Sequence, residues 1–332
     1  MAAAIAIIVL IGDNSNKNMQ STSSAISAST SLNTVSSTTS VSVALSTSSS
    51  ASTSSIPPPS TQGNGTIRHV LIIVIENIEY SNVIGDRSAP YENNLTGTYA
   101  LATNYFAVSH PSEPNYIAMI AGSTLNITND GSVSQNQRLV TNLADLFKAK
   151  NVSWRAYEES MPIPCDANDS SDGLYVTKHD PFVYMADITN NLTYCKSHIV
   201  NLTRFYDDLA NNQLPQYAFI TPNIKNDGHD GGVASADGWL STFIPKIINS
   251  GSFNSSVVFL TYDEGTTALG GGGHVATIVI GPSSIVKPGF KSSVAYSHYS
   301  LLATIESIYG LDNLGRNDAN ATTMNDMFVN AG

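Results

Sequence analysis

Two uninterrupted apolar runs constrain what this 332-residue chain can fold into. Val70-Leu71-Ile72-Ile73-Val74-Ile75 ends in Glu76-Asn77, and Val257-Val258-Phe259-Leu260-Thr261-Tyr262 ends in Asp263-Glu264-Gly265. A strand with one face in water alternates apolar and polar residues. Runs such as these belong to strands buried on both faces, as in a parallel sheet. Open α/β sheets bind their ligands outside the carboxyl ends of the strands. If both strands lie in one sheet, Glu76, Asn77, Asp263 and Glu264 converge at that edge. Four oxygen-bearing side chains in one place suit a metal ion. The alternative is two strands that end in solvated acids.

The rest of the folded part alternates in the same way. Strands are expected at 69–75, 101–108, 152–157, 216–220, 256–262 and 275–280, and helices at 114–121, 139–150, 202–209, 237–248 and 298–309. Loops are expected at 76–100, where Gly85, Pro90 and Gly97 interrupt, and across the polar stretch 158–194. This alternation predicts an α/β fold with a parallel or mixed central sheet and helices on both faces.

Composition divides the chain. Between Lys17 and Arg68 there is no charged residue; Ser and Thr dominate, and Pro57-Pro58-Pro59 closes the stretch. So little apolar surface cannot offset the entropy of ordering, so residues 13–66 read as a disordered, O-glycosylated stalk. Residues 1–12 are apolar, too short to span a bilayer, and resemble a signal segment or part of an anchor that would tether the chain to a membrane or cell surface. Residues 67–332 are long enough for one large domain. Asn-X-Ser/Thr acceptors stand at Asn64, Asn94, Asn126, Asn151, Asn168, Asn191, Asn201, Asn254 and Asn320, which together suggest N-glycosylation and an extracellular setting. The two cysteines, Cys165 and Cys195, are expected to pair in that setting. A net charge of −11, with no basic stripe, argues against nucleic acid as a partner.

Four further segments carry chemistry. Ser109-His110-Pro111-Ser112-Glu113-Pro114-Asn115-Tyr116 leads from a predicted strand into a helix. There Ser112 is either an N-cap or a nucleophile at a helix N-terminus that favours anions. Asn226-Asp227-Gly228-His229-Asp230-Gly231 follows a strand and reads as a turn or as a site loop. Gly270-Gly271-Gly272-Gly273-His274 precedes a strand, its glycines suited to flexibility or close approach. Lys178-His179-Asp180-Pro181 offers two cationic groups beside a turn.

Taken in order with Glu76-Asn77, Tyr262-Asp263-Glu264-Gly265 and His298-Tyr299-Ser300-Leu301, these segments resemble the phosphoesterase family of acid phosphatases and phospholipase C-type enzymes, within the alkaline-phosphatase-like superfamily. The Ser-His-Pro-Ser-x-Pro-Asn-Tyr block is the most specific element of the resemblance. The resemblance implies an alkaline-phosphatase-like α/β/α sandwich with a mostly parallel sheet. It implies one divalent cation held by Glu76, Asn77, Asp263 and Glu264, with Ser112 as nucleophile through a phosphoserine. His229 and His274 would join Ser112 in catalysis, and His110, Asn115, Lys178, His179 and Asp230 would bind a small phosphate-ester substrate. Asn77 and Glu264 replace the Asp and His of two-zinc relatives, which favours a single harder cation. Two other readings stand beside an extracellular acid phosphatase: a phosphodiesterase or phospholipase C on the same fold, and a non-catalytic glycosylated surface protein.

Overall fold

The computed structural model describes residues 65–329. The apolar segment 1–12 and the stalk as far as residue 64 lie outside the described residues. The described strands are β1 (His69–Ile75), β2 (Ala100–Ala102), β3 (Tyr105–Phe106), β4 (Trp154–Glu158), β5 (Ile199–Asn201), β6 (Tyr217–Thr221), β7 (Ser256–Tyr262), β8 (Thr277–Ile280), β9 (Lys291–Ser292) and β10 (Tyr296–Ser297). The described α-helices are α1 (Pro90–Thr98), α2 (Ser112–Ala121), α3 (Val133–Asn136), α4 (Leu143–Lys150), α5 (Ala186–Thr189), α6 (Leu192–His198), α7 (Thr203–Ala210), α8 (Gly232–Ile248) and α9 (His298–Tyr309).

Eight strands form one sheet in the order β5-β4-β6-β1-β7-β8-β2-β9. Pairing is parallel throughout except where β8 meets β7 and β2. The two apolar runs are the adjacent central strands β1 and β7. From Val70 to Ile75 and from Ser256 to Tyr262 every residue is buried, so both faces of the sheet are covered. The helices pack in two groups, α1 with α8, and α2 with α4 and α9. The fold is therefore α/β with a mostly parallel central sheet between helical layers. Among the described residues no helix is long and apolar enough to cross a membrane.

Several local expectations change: α5 and the start of α6 fall within the stretch 158–194 expected as loop, and α8 starts at Gly232 rather than at 237. Pro90 and Gly97 lie in helix α1, not in a loop. Pro90 takes a first-turn position, where its missing N–H costs nothing, and the next two N–H groups, of Tyr91 and Glu92, donate to the Asp237 carboxylate of α8. The expected strand 101–108 is two short pieces, β2 and β3, in different sheets. Helix α4 starts at Leu143, because the Asn142 side chain accepts from Ala144 N–H (2.9 Å) and Asp145 reaches back to Asn142 N–H (3.1 Å). Leu139 is left 75% exposed.

Cys165 and Cys195 form a disulfide with Cα atoms 5.5 Å apart, inside the span such a bridge needs.

Candidate active site

Ile75 and Tyr262 are partners in the β1–β7 register, so Glu76 and Asp263 leave the sheet side by side at its carboxyl edge. Asp263 N–H donates to the Ile75 carbonyl (2.9 Å), and Asn77 N–H donates to Asp263 Oδ1 (2.8 Å). Asn77 has φ +39°, a left-handed conformation that asparagine tolerates better than most residues. Its own side chain is exposed. His298, the first residue of α9, bonds the Asp263 carbonyl through Nε2 (2.5 Å), and burial lowers its pKa to about 4, so the ring is neutral.

Ser112 begins α2 and is 2% exposed. The N-cap is Pro111, and the Ser112 side chain bonds no backbone group. Instead its hydroxyl lies 3.0 Å from Glu76 Oε2 and 3.2 Å from Glu264 Oε1, both acceptors for its single proton. The other oxygen of Glu264 bonds His110 Nδ1, and His110 Nε2 bonds the Thr267 carbonyl (2.8 Å). Burial works against the His110 imidazolium, but the Thr267 carbonyl and Glu264 outweigh it and raise its pKa. Burial raises Glu264, with Glu76 adding repulsion and His110 opposing.

On the other side of Glu76 sits His179. Its Nε2 is 3.0 Å from Glu76 Oε1 and its Nδ1 is 3.2 Å from Asp227 Oδ2, with the ring stacked on Tyr116 at 5.1 Å. Burial disfavours its charge, but Glu76 and Asp227 prevail and raise its pKa to about 9. Burial likewise opposes ionisation of Glu76, yet His179 holds its carboxyl well below the usual range. Asp263 shows the reverse: burial, then the charges of Glu76 and Glu264, push it far up. Lys178 Nζ lies 3.2 Å from Asp130 Oδ2; burial lowers its pKa, but Glu76, Asp130 and Asp263 outweigh it.

The expected residues divide. Glu76, Ser112, Glu264, His110 and His179 form one hydrogen-bonded or ion-paired chain, with Asp263 and Lys178 beside it. His229 is half-exposed; its ring is 6.3 Å from that of His179 and bonds Asp230 Oδ1 (2.9 Å). Asp230 points outward, and the acid that reaches inward is Asp227. Asn115 was expected to bind substrate, but its amide is fully spent on the turn before Ser112. It accepts from Val108 and Ser109 N–H and donates to the Ser109 and Pro111 carbonyls. His274 was expected among the catalytic groups, but it stacks on Tyr80 at 4.2 Å and bonds the Thr103 carbonyl (3.1 Å), away from Ser112.

The glycines before His274 serve close approach. A Cβ on Gly272 would stand 2.3 Å from the Ser109 carbonyl oxygen, and one on Gly273 (φ +96°) 2.7 Å from Gly265 Cα. The backbone of 271–273 therefore lies directly against the turn that delivers Ser112. Glu79, which sequence reasoning missed, fastens this loop. Its carboxylate accepts from Thr266, Thr267 and His274 N–H and from the Thr267 hydroxyl. Asp130 was also missed, since its partners Glu113 N–H and Lys178 come from distant segments.

Glu76 Oε1, Asp263 Oδ2 and Asp227 Oδ2 are buried with no aligned hydrogen bond, so the approaches to His179 are ionic contacts of poor hydrogen-bond geometry. Crowded, buried, unpartnered carboxylate oxygens fit a hard cation in donor type. Among the described residues no three His, Cys, Asp or Glu side chains surround one point at ligand distance as they stand. The fit is therefore one of donor chemistry and burial.

The Phosphoesterase family model matches residues 86–312 of the chain. An acid phosphatase of Aspergillus fumigatus is 35% identical over 257 residues, covering 75% of this chain and 56% of that protein. A phosphatidylinositol-3-phosphatase of Mycobacterium tuberculosis is 32% identical over 250 residues, covering 75% and 79%. The chain spans 56–64% of the length of the fungal phosphatases it matches. A Vibrio parahaemolyticus structure of the alkaline phosphatase superfamily superposes with a TM-score of 0.53 at 13% identity, over 80% of this chain and 72% of that one. With the family model covering more than half of its length, and Ser112 and the Asp263-Glu264 pair inside the matched segment, this chain belongs to the phosphoesterase family.

Proposed function

We propose that this chain is a metal-dependent phosphoric ester hydrolase of the acid phosphatase type, working through a phosphoserine on Ser112. The observation that carries the reading is Ser112: a buried hydroxyl at the start of a helix, hydrogen-bonded to two carboxylates, with His179 against the other oxygen of Glu76. The N-cap position belongs to Pro111, and the Ser112 hydroxyl bonds Glu76 and Glu264 rather than the backbone.

Glu76, Asn77, Asp263 and Glu264 would hold one divalent cation, which would supply Lewis acidity to the phosphoryl oxygens and lower the pKa of the serine hydroxyl. The chain's own groups do the rest. Ser112 Oγ attacks phosphorus as its proton passes to Glu264, whose Oε1 already accepts from that hydroxyl. Lys178 and the His179 imidazolium counter the charge on the equatorial oxygens. The bond to the ester oxygen breaks, and His229, open to solvent, protonates the departing alcohol. Water then attacks the phosphoserine as it returns a proton to His229, and the serine oxygen recovers its proton from Glu264 as phosphate leaves.

The same reading extends to an extracellular location. Of the described acceptor asparagines, Asn94, Asn126, Asn151, Asn168, Asn191, Asn254 and Asn320 are exposed, as N-glycans require. Asn201 is half-buried and donates to the Met161 carbonyl (2.8 Å), so it is left unmodified. Attachment through the N-terminal segment is part of the proposal.

Hydrolysis of p-nitrophenyl phosphate against bis-p-nitrophenyl phosphate, from pH 3 to 9 with and without chelator, tests the reading. Monoester turnover that chelator abolishes supports it. Preferential diester turnover would move the assignment to a phospholipase C-type enzyme, and no turnover with added divalent cations would leave the glycosylated surface protein.

A further inference from the structure

Lys178 has a flexible four-carbon stem, and a single acceptor decides where its ammonium stands. Asp130 Oδ2 accepts from Lys178 Nζ at 3.2 Å. Among the described residues Asp130 is the one ion-pair partner of that ammonium. One of its three N–H donors is therefore taken, and two stay open. The other Asp130 oxygen, Oδ1, accepts from Glu113 N–H (3.0 Å). Glu113 directly follows Ser112 in the first turn of α2. Glu113 bonds back to the same loop, its Oε2 accepting from Gly131 N–H (2.7 Å), and the Tyr184 hydroxyl donates to the Gly131 carbonyl (2.8 Å). Residues 130 and 131 are thus clamped to the start of α2. One turn along the same helix, Tyr116 stacks on the ring of His179. Lys178 and His179 therefore both rest on the helix that carries Ser112, one through Asp130 and the other through Tyr116.

We propose that Asp130 is a positioning residue for the phosphate ester: it holds the Lys178 ammonium beside Ser112, ready for the phosphoryl oxygens. The inference rests on the phosphatase reading and adds how its substrate-facing cation is aimed. A free lysine side chain spreads over many rotamers. Fixing it in advance removes ordering that substrate binding would otherwise have to supply. Folding stability is not what this ion pair serves. The Lys178 and Asp130 side chains are 19% and 28% exposed, and pairs so open to water contribute little to folding. The carboxylate has an opposite effect as well, since a negative charge near the site repels an anionic substrate. With the aim of Lys178 outweighing that repulsion, loss of Asp130 weakens substrate binding, and the sign of the change is diagnostic.

Steady-state kinetics of the full chain on p-nitrophenyl phosphate, with manganese supplied, test this in wild type, D130A, D130E, K178M and D130A/K178M. D130A is expected to raise KM about fivefold or more while kcat falls less. D130E, which keeps a carboxylate on a longer stem, is expected to recover most of that loss. In the K178M background D130A is expected to leave KM unchanged, because Asp130 acts through Lys178. A D130A enzyme whose KM is unchanged or lower overturns the proposal. So does an equal rise in KM in the K178M and wild-type backgrounds, because Asp130 then acts through Glu113 and Ser112. If D130A melts below the assay temperature, D130S takes its place, since its hydroxyl can still accept from Glu113 N–H. If K178M turns over too slowly to assay, calorimetric titration of wild type and D130A with inorganic phosphate decides. Affinity about fivefold weaker in D130A supports the proposal, and equal affinity overturns it. A wild type that hydrolyses no phosphate ester removes the phosphatase reading itself, so wild-type turnover tells the two failures apart.

Discussion

His179 Nε2 stands 3.0 Å from Glu76 Oε1, and both side chains are closed off from solvent. The other Glu76 oxygen accepts from the Ser112 hydroxyl. One carboxylate thus joins Ser112, the proposed nucleophile, to a buried imidazolium. The histidine keeps Glu76 ionised where burial alone would protonate it, so the serine keeps an acceptor. The first prediction follows from this pair in the metal-free protein.

The His179 pKa is raised from 6.5 to about 9, so its contribution to stability is complete below pH 6.5 and is lost as pH rises through 9. The Glu76 pKa is lowered from 4.5, so its contribution is complete above pH 4.5 and is lost as pH falls toward the depressed value. Both shifts describe one ion pair and are not added. The shift on His179 corresponds to about 3 kcal/mol. Thermal melting of the apo protein should peak between pH 4.5 and 6.5, and H179Q should remove the decline between pH 7 and 9. An unchanged decline in H179Q would assign it to other groups.

Replacing Ser112 with alanine should lower phosphatase turnover by about 10³-fold or more, as loss of a nucleophile does, while Tm changes little. Pro111 is the N-cap and the Ser112 hydroxyl bonds side chains only, so helix α2 loses no cap with it. Rapid-quench detection of a phosphoserine in the wild type, absent from S112A, checks the covalent step. An S112A enzyme with near-wild-type turnover would mean that water attacks phosphorus directly.

Much of this arrangement was legible in the sequence, and what was not had a common cause. The bounds of β1, β7 and α9 follow from apolar periodicity, because burial on the sheet or along one helix face imposes that pattern. Glu76, Ser112, Asp263 and Glu264 were readable because each stands directly after a strand or at a helix start. Helix α1 was not, because the carboxylate that receives its first N–H groups belongs to Asp237, far away in sequence. The misplacements of Asn115 and His274 have the same origin. Both are polar residues in a site-like context, and only their partners show that they hold loops. Asp227 was overshadowed by the more conspicuous His229-Asp230. Its inward aim depends on the turn at Gly228, with φ +98°, which composition does not reveal.

The charge state of Asp263 predicts how the proposed catalytic cation binds. Burial and the neighbouring carboxylates raise its pKa well above the usual range, so the apo site carries a proton that a cation must displace. Affinity for manganese or magnesium should therefore rise with pH, by about tenfold per unit for each proton displaced. Calorimetry in buffers of different ionisation enthalpy should detect proton release, and D263N should lose most of the affinity. Cation affinity that D263N leaves unchanged would show that Asp263 is not a ligand.

The disulfide gives the last prediction. Cys165 and Cys195 close a loop across a sequence separation of 30, and the enclosed segment carries Tyr175, Lys178 and His179. Chain-entropy arguments assign such a closure roughly 3–4 kcal/mol. The catalytic edge feels it directly, because His179 and Lys178 approach Glu76 from this segment rather than from the sheet. Ser112, Glu264 and His110 lie outside it and are fastened independently by Asn115 and Glu79. Reduction, or C165S/C195S, should therefore lower Tm and raise KM for p-nitrophenyl phosphate several-fold while kcat falls less, since Ser112, the proposed nucleophile, and its carboxylates keep their places. Tm and steady-state kinetics on oxidised and reduced protein measure both. Equal proportional losses in kcat and unchanged KM would mean that the segment contributes to the transition state alone, and the role of Lys178 and His179 in holding the substrate would have to be withdrawn.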